Sequence, residues 1–531
     1  MTKDIDILVR GGKVYDGTGG APVLADIAIA GGQIASVAEA KDRDEAGAEV
    51  VIDAAGLSVA PGFIDVHSHS EFTLFADGRG EGKAFQGVTT EINGNCGLSA
   101  APLYGAAKEQ RESDLQELGI KERWETFREY FALFEKRGLA INYATLAGHG
   151  NIRSSVMGYE DRKPSRSEME RMRSLLRDAV SEGAIGLSTG LIYPPGVYAD
   201  TKEITELART AKDLIYATHM RSEGDALTEA LEEAVKIGRD SGIRVQISHI
   251  KTGGKANWGK IERAVSIIES TQKEGLRVAC DRYPYIAACT DLDAVLPSWT
   301  YAGGAEEEMR KLNDASVRSQ IRNEFLSAGR TDDYWSSITI SSLQSEANRW
   351  MEGKSFLSVA NKVGKDPVDF LFDILLEEKL RIGAIYHSMN EDNLLRFLSL
   401  AYVMIGSDSS ARSMDGPTRQ GRPHPRTFGT FPRFLGRYAR DKRLMGLSGA
   451  IHKMTMLPAK TFGLKERGIL RPGFIADLII FDENRIIDRA TYEEPFQKPD
   501  GIPYVLVNGS PVVWEGNATG KMAGKILRHG K

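Results

Sequence analysis

The hydrophobic pattern of the chain changes character twice. Up to about residue 60, apolar residues come in short runs broken by glycine pairs. Ile5-Asp6-Ile7-Leu8-Val9 precedes Gly11-Gly12, and Ala25–Ile29 precedes Gly31-Gly32; Ile34–Val37 and Val50–Asp53 follow. Strand-length runs with Gly-containing turns at this spacing predict a small β-sheet or sandwich. The same texture returns in Ala476–Phe481, in Val505–Val507 before Asn508-Gly509, and in Pro511–Trp514. Two strand-rich ends around a different middle predict one discontinuous β-sandwich, built from residues 1–60 and 465–531.

Residues 61–464 alternate instead. Short apolar or β-branched runs lie at Phe63–Val66, Val88–Ile92, Ile141–Leu146, Ala184–Leu187, Leu214–Ala217, Val245–Ile250, Val278–Asp281 and Tyr402–Gly406. Between them are helical patterns such as Arg166–Val180 and Ala226–Gly238, the latter with Gly238 as its expected C-cap. This βαβα order predicts an α/β protein with a parallel sheet. Eight candidate strands predict a (β/α)8 TIM-like barrel, with chemistry at the C-terminal strand ends; a doubly wound open sheet is the alternative. The stretch from about 287 to 368 breaks the rhythm and is expected to be an insertion beside the barrel mouth. Its role is left between specificity loop, lid and surface decoration.

The strand ends carry the chemistry. The first leads into His67 and His69, spaced i, i+2, so that on a strand both rings reach one face. The second leads into Gly94-Asn95-Cys96-Gly97, the third into His149, the fifth into His219, the sixth into His249 and the eighth into Asp408. The chain has 9 histidines, and most of them terminate strands. Imidazole and thiolate suit Zn²⁺, whereas an oxygen-only set would suit Mg²⁺ or Ca²⁺. A hydrolytic zinc acidifies a water and polarises a carbonyl, and Asp408 beside it can accept and return a proton. The other histidines read more plainly. His149 is expected to be a supporting or core residue, His387 follows a run (Ala384–Tyr386) that the pattern does not place, and His452 fits a helix. His529 lies in a basic end, Lys521–Lys531, read as a solvated tail. Cys280 reads as a buried strand residue.

Composition narrows the partners. A formal net charge of −5 leaves no basic footprint for nucleic acid. The start Met1–Arg10 lacks the apolar stretch of a signal peptide, and no run reaches transmembrane length. With 3 cysteines in 531 residues there is no disulfide framework, so a cytoplasmic protein is expected. Oligomeric state is not encoded in these patterns.

Pro61-Gly62-Phe63-Ile64-Asp65-x-His67-x-His69 resembles the first-strand motif of the amidohydrolase superfamily. Gly87-Val88-Thr89-Thr90 with Gly94-Asn95-Cys96-Gly97 is similar to the D-aminoacylase (N-acyl-D-amino-acid deacylase) family within it. So are Gly190–Gly196, His219-Met220-Arg221-Ser222-Glu223, Ile247-Ser248-His249, Asp281–Tyr285, Gly406-Ser407-Asp408, His424–Phe431, Met454–Ala459 and Arg467-Gly468 to Ala476-Asp477. The resemblance implies hydrolysis of N-acyl-D-amino acids to a carboxylic acid and a free D-amino acid. It implies one tight zinc on Cys96, His219 and His249, and a weaker second position lined by His67 and His69. It also implies Asp408 as general acid/base, Tyr193 at the oxyanion, Arg426 at the substrate α-carboxylate, and Lys251 and Tyr283 as further polar contacts. The loop Ser409–Pro423 is longer than the family pattern and adds Arg412, Arg419 and Arg422, which compete with Arg426 for the carboxylate role. The stretch Leu292–Trp299, read as the side-chain pocket, has no arginine, so an apolar or aromatic D-residue is expected. Two alternatives stand beside this reading. A cyclic-amide hydrolase of the hydantoinase or dihydroorotase type is opposed by Cys96, and a non-catalytic barrel scaffold by the full ligand set with Asp408.

Overall fold

The computed structural model describes residues 5–39 and 47–530; Met1–Asp4 and Lys531, which entered the readings of the two termini, lie outside that range. The barrel strands are Phe63–Asp65, Val88–Asn93, Asn142–Thr145 continued by Ala147–Gly148, Gly186–Gly190, Ile215–His219, Arg244–Ile247, Val278–Arg282 and Val403–Ile405. Each pairs in parallel with the next. The eighth meets the first through a parallel bridge between Ser68 and Ser409, which completes the ring.

Alternation along the strands sorts their side chains. Phe63, Tyr143, Leu187, Tyr216, Val245, Ile247 and Cys280 pack with helix residues such as Leu175, Leu176 and Ile204. Ile64, Ile92, Ala144, Ile215, Ala217 and Met404 form a separate cluster, the opposite face of the same strands. Cys280 is fully buried in the outer layer, in a strand as its pattern suggests.

The helices follow their local signals. Arg166–Glu182 starts at a capping box of Ser165 and Glu168 and buries Met172, Leu175, Leu176 and Ala179, an i, i+3, i+4, i+7 stripe. The helix expected to stop at Gly238 runs Leu227–Ser241 and is capped by Gly242 at φ 78°. Gly238 lies inside it because a Cβ there would meet Val245 Cγ2 at 2.4 Å; the glycine permits close packing on the sixth strand rather than ending the helix.

The two chain ends meet in one mixed sheet of nine strands. From one edge it runs Asn517–Ala518, Ser510–Trp514, Tyr504–Val507, Leu478–Phe481, Ser58–Pro61, Ile5–Val14, Val23–Ala30 and Gln33–Glu39, with Ala48–Asp53 also paired to Ile5–Val14. Residues from both ends, among them Val9, Ile27, Val59, Leu478 and Leu506, share its core. Leu478–Phe481 lies antiparallel to Ser58–Pro61, directly before the first barrel strand.

Between the seventh and eighth barrel strands, Gly383–Tyr386 sits in the middle of a three-stranded antiparallel sheet, flanked by Ala288–Asp291 and Ile338–Ser342. This gives the unplaced run its position and carries the inserted unit past 368. The unit has its own core, including Leu292, Val295, Leu296, Trp335, Phe356 and Leu371. His387 follows it, with its backbone N–H bonded to Ser337 O at 2.9 Å. His452 lies in the helix Leu447–Met454 and contacts Gly17 O at 2.9 Å.

The basic end is not a solvated tail. Gly524 N–H donates to Leu139 O, Tyr143 N–H donates to Lys525 O, Leu527 N–H donates to Tyr143 O, and His529 N–H donates to Gly183 O. Arg528 lies over the Phe131 ring. The apolar residues Ala523 and Ile526 interleaved with its lysines pack against the barrel core and hold it there. Among the described residues no helix is long and apolar enough to cross a membrane.

Candidate metal centre

The strand ends converge as a barrel requires. Cys96 Sγ lies 3.4 Å from His67 Nε2 and 3.5 Å from His249 Nε2. The His219 ring stands edge-on to His249, centroids 4.4 Å apart. Asp408 Oδ1 is 3.3 Å from His69 Nε2 and 3.5 Å from His67 Nε2. Three groups gather their donor atoms within 4.8 Å: His67, Cys96 and His249; His67, His69 and Asp408; His219, Glu223 and His249. They share members, so they form one continuous cluster.

Backbone geometry explains how residues on different strands reach it. Cys96, His249 and Asp408 have φ of 52°, 34° and 52°. Non-glycine residues avoid this left-handed region, and where they occupy it at a site the surrounding structure imposes it. On the sixth strand Val245 and Ile247 face the helices, so plain alternation would send His249 outward as well. The strand instead ends at Ile247, and the turn at His249 brings its ring in.

Buried acids hold the rings. Asp281 contacts His67 Nδ1 at 3.3 Å and accepts from His249 N–H and Gln246 Nε2, each at 2.9 Å. Glu223 Oε1 lies 2.8 Å from His249 Nδ1 and also pairs with Lys251 Nζ. Burial works to lower the pKa of His69, yet Asp408 and Cys96 push it up to about 9. Burial and Lys251 likewise oppose protonation of His249, yet Glu223, Asp408 and Cys96 push it up to about 9. A cluster that attracts protons this strongly against desolvation is one that attracts a cation. His219 gives a second sign, since neither of its buried ring nitrogens has a hydrogen-bond partner. Orphaned imidazole nitrogens beside a thiol fit a metal of the zinc type.

Substrate-facing groups lie around this cluster. Arg426 Nη1 is 3.0 Å from Asp408 Oδ2. Burial raises the Asp408 pKa, but Arg426 and the histidines outweigh it and hold the carboxyl well below its usual range. Arg426 also lies 4.6 Å over the Tyr283 ring, and Lys251 lies 6.0 Å from it. The buried Tyr283 hydroxyl has no partner; burial raises its pKa, and Lys251, Arg282 and Arg426 bring it below the ordinary phenol value. Tyr193 packs against the His219 ring at 5.0 Å and its hydroxyl meets Thr290 Oγ1 at 3.1 Å. Burial and the nearby Cys96 keep its phenol protonated, hence a donor.

The structure relocates two expectations. Leu292, Val295 and Leu296 point into the core of the inserted unit; the site is met by the preceding residues, through Thr290 and the Cys289 carbonyl that accepts from Arg426 at 3.3 Å. The extra loop arginines are engaged elsewhere: Arg412 with the Thr418 and Gln420 carbonyls, Arg419 over Phe496, Arg422 with Glu493 O. His149 pairs with Glu203 at 2.8 Å, apart from the cluster.

Four supporting residues carried no role in the sequence reading: Glu223, Asp281, Lys83 and Glu91. The first two stand inside quoted motifs, His219–Glu223 and Asp281–Tyr285, which was a signal for them. Lys83 and Glu91 have no local pattern.

The chain matches the model of the Amidohydrolase family over residues 50–279 and 403–513, more than half its length. It is 37% identical over 528 residues to the D-aminoacylase of Alcaligenes xylosoxydans xylosoxydans, covering 99% of this chain and 98% of that protein. A solved D-aminoacylase, described as having a binuclear metal centre with one-metal activation and second-metal attenuation, superposes with a TM-score of 0.82 at 35% identity, covering 99% and 100% of the two chains. The N-acyl-D-glutamate deacylase of Bordetella bronchiseptica, solved with zinc and a phosphonate mimic of the tetrahedral intermediate, superposes with a TM-score of 0.84 at 34% identity and the same coverage. The chain belongs to the amidohydrolase family, in its D-aminoacylase branch.

Proposed function

We propose that this chain is a zinc-dependent hydrolase that splits N-acyl-D-amino acids into a carboxylic acid and a free D-amino acid, with an apolar or aromatic side chain preferred. The observation that carries the reading is the position of Asp408. Its carboxylate stands against His67 and His69 on one side and Arg426 on the other. A cytoplasmic setting suits three free cysteines.

Cys96, His219 and His249 would hold the tight zinc, and His67 and His69 would line a weaker second position. Zinc held there supplies Lewis acidity toward a scissile carbonyl and acidifies a water. The chain's own groups do the rest. Arg426, Lys251 and the unpartnered Tyr283 hydroxyl bind the α-carboxylate, a geometry that suits a guanidinium fork. This fixes the amide toward Asp408. The ionised Asp408 takes the proton of the attacking water and returns it to the leaving amine nitrogen. Tyr193, a protonated phenol, donates to the oxygen on which negative charge develops.

The test joins metal content to chirality. Zinc per chain is counted, and paired N-acetyl-D- and N-acetyl-L-amino acids are offered while free amine is followed. About one tightly held zinc per chain, as a Cys/His set implies, with hydrolysis of the D-series alone supports the reading. Zinc with turnover only of cyclic amides overturns it in favour of a hydantoinase-like enzyme. Neither zinc nor hydrolysis leaves a scaffold.

A further inference from the structure

Lys83 is completely buried, in a four-residue helix just before the second barrel strand. An ammonium has three protons to give. Five oxygens surround this one: Asp65 Oδ2 at 2.7 Å, Ser407 Oγ at 2.8 Å, Ser68 Oγ and Glu91 Oε1 at 2.9 Å, and Ser409 O at 3.1 Å. The two carboxylates compensate the buried charge and accept two of its protons, which leaves one proton for the other oxygens. The other three oxygens are the informative ones. Ser68 separates His67 from His69, and Ser407 and Ser409 flank Asp408.

These residues lie on the seam that closes the barrel. The eighth and first strands are joined by the single Ser68–Ser409 bridge. Asp408 N–H donates to His67 O at 2.7 Å and His69 N–H to Ser409 O at 3.1 Å. Asp65 adds to the same knot, its Oδ1 accepting from Ser407 N–H at 2.8 Å and His67 N–H at 3.2 Å. Asp408 itself sits at φ 52°, a conformation its neighbours have to impose. Lys83 thus donates both to the two flanks of Asp408 and to the residue between the paired histidines.

We propose that Lys83 is a positioning residue: by gathering Ser68, Ser407 and Ser409 on one buried ammonium, it sets where the Asp408 carboxylate stands relative to His67 and His69. The proposal rests on Asp408 being the proton-transfer group. A displacement near 1 Å of such a group costs about 100-fold in rate, so the expected signature is a loss of kcat with KM retained.

Two variants test it. Ser68→Ala/Ser407→Ala keeps both carboxylates on the ammonium but cuts two tethers; kcat is expected to fall about 10-fold, with KM, zinc per chain and Tm close to the parent. Lys83→Ala is expected to lose about 100-fold in kcat, and methylammonium in the assay is expected to restore part of it by refilling the space. A purely structural lysine would lower Tm and leave kcat per folded, zinc-loaded chain alone. Parental kcat in the serine pair overturns the proposal, whether or not Lys83→Ala folds. Asp408→Asn is measured in parallel: turnover at the parental rate there overturns the role of Asp408 itself, while a dead Asp408→Asn beside a fully active serine pair overturns only the role of Lys83.

Discussion

Arg426 reaches Asp408 at 3.0 Å, so the cation that would bind the substrate carboxylate is also the charge that keeps the proposed base ionised. One substitution therefore has two consequences. Arg426→Met is expected to raise KM about 10- to 100-fold, the scale of a lost charged hydrogen bond. It is also expected to move the acid limb of kcat to higher pH. The sign follows from the cause: Arg426 favours the carboxylate, its removal lets burial raise the Asp408 pKa, and the base is protonated at a less acidic pH. Steady-state kinetics across pH on the variant check both effects. A raised KM with an unmoved acid limb would separate the two roles.

Much of this site is legible in the sequence because barrel chemistry is local in the chain. A run such as Ile215–His219 ends in a histidine of the cluster, and His67 and His69 follow directly on the first barrel strand, which itself ends at Asp65. What is not legible depends on partners far along the chain. Lys83 draws its meaning from Ser407 and Ser409, more than 300 residues away, and no pattern of neighbours announces that. Gly238 reads as a helix stop because glycine usually ends helices, but its role is set by Val245 across the packing interface. The short run Ala384–Tyr386 becomes the central strand of the inserted unit only through its two antiparallel partners. The basic end pairs with Leu139, Tyr143 and Gly183 through backbone atoms, to which charge counting is blind.

Glu223 bears on metal affinity. It holds His249 Nδ1 at 2.8 Å and so fixes which ring nitrogen is free to face the cluster. Supporting carboxylates of this kind are worth about 10- to 100-fold in metal affinity. Glu223→Gln is expected to weaken zinc by that factor, read by competition with a chromogenic chelator, and to recover activity when zinc is added. Unchanged affinity would mean that Lys251, which shares the same carboxylate, is its main partner.

Lys453 sets a pH dependence of stability away from the site. Its ammonium is buried with no carboxylate partner among the described residues and donates to the carbonyls of Leu398 and Leu400. Burial lowers its pKa from 10.5 to about 7. Between those values the unfolded chain holds the proton and the folded chain does not, so unfolding free energy rises with pH across that window. Below about pH 7 both states are charged and the penalty is constant. Lys453→Met is expected to flatten the slope between pH 7.5 and 9.5 by about 1 kcal/mol per pH unit. Parallel slopes for the two proteins in denaturant titrations would show that the lysine stays charged inside.

Side-chain preference is where this chain is expected to part from acidic-substrate relatives. The stretch first read as the pocket lies in the core of the inserted unit, so its lack of arginine does not decide the matter. The remaining cations do. Arg426 and Lys251 are assigned to the α-carboxylate, Arg282 lies against the Tyr283 ring and donates to Tyr285 O, and Arg412, Arg419 and Arg422 are held by loop carbonyls or an aromatic ring. The segment of the inserted unit that meets the site offers a threonine hydroxyl and a backbone carbonyl there. A second carboxylate on the substrate would thus be desolvated without a free partner, a cost of order 1–3 kcal/mol or more. N-Acetyl-D-leucine is therefore expected to exceed N-acetyl-D-glutamate in kcat/KM by about 10-fold or more. The comparison is made on one zinc-loaded preparation. Preference for the glutamate derivative would mean that Arg412 leaves the Thr418 and Gln420 carbonyls to meet it, and Arg412→Met would then abolish that preference while sparing the leucine derivative.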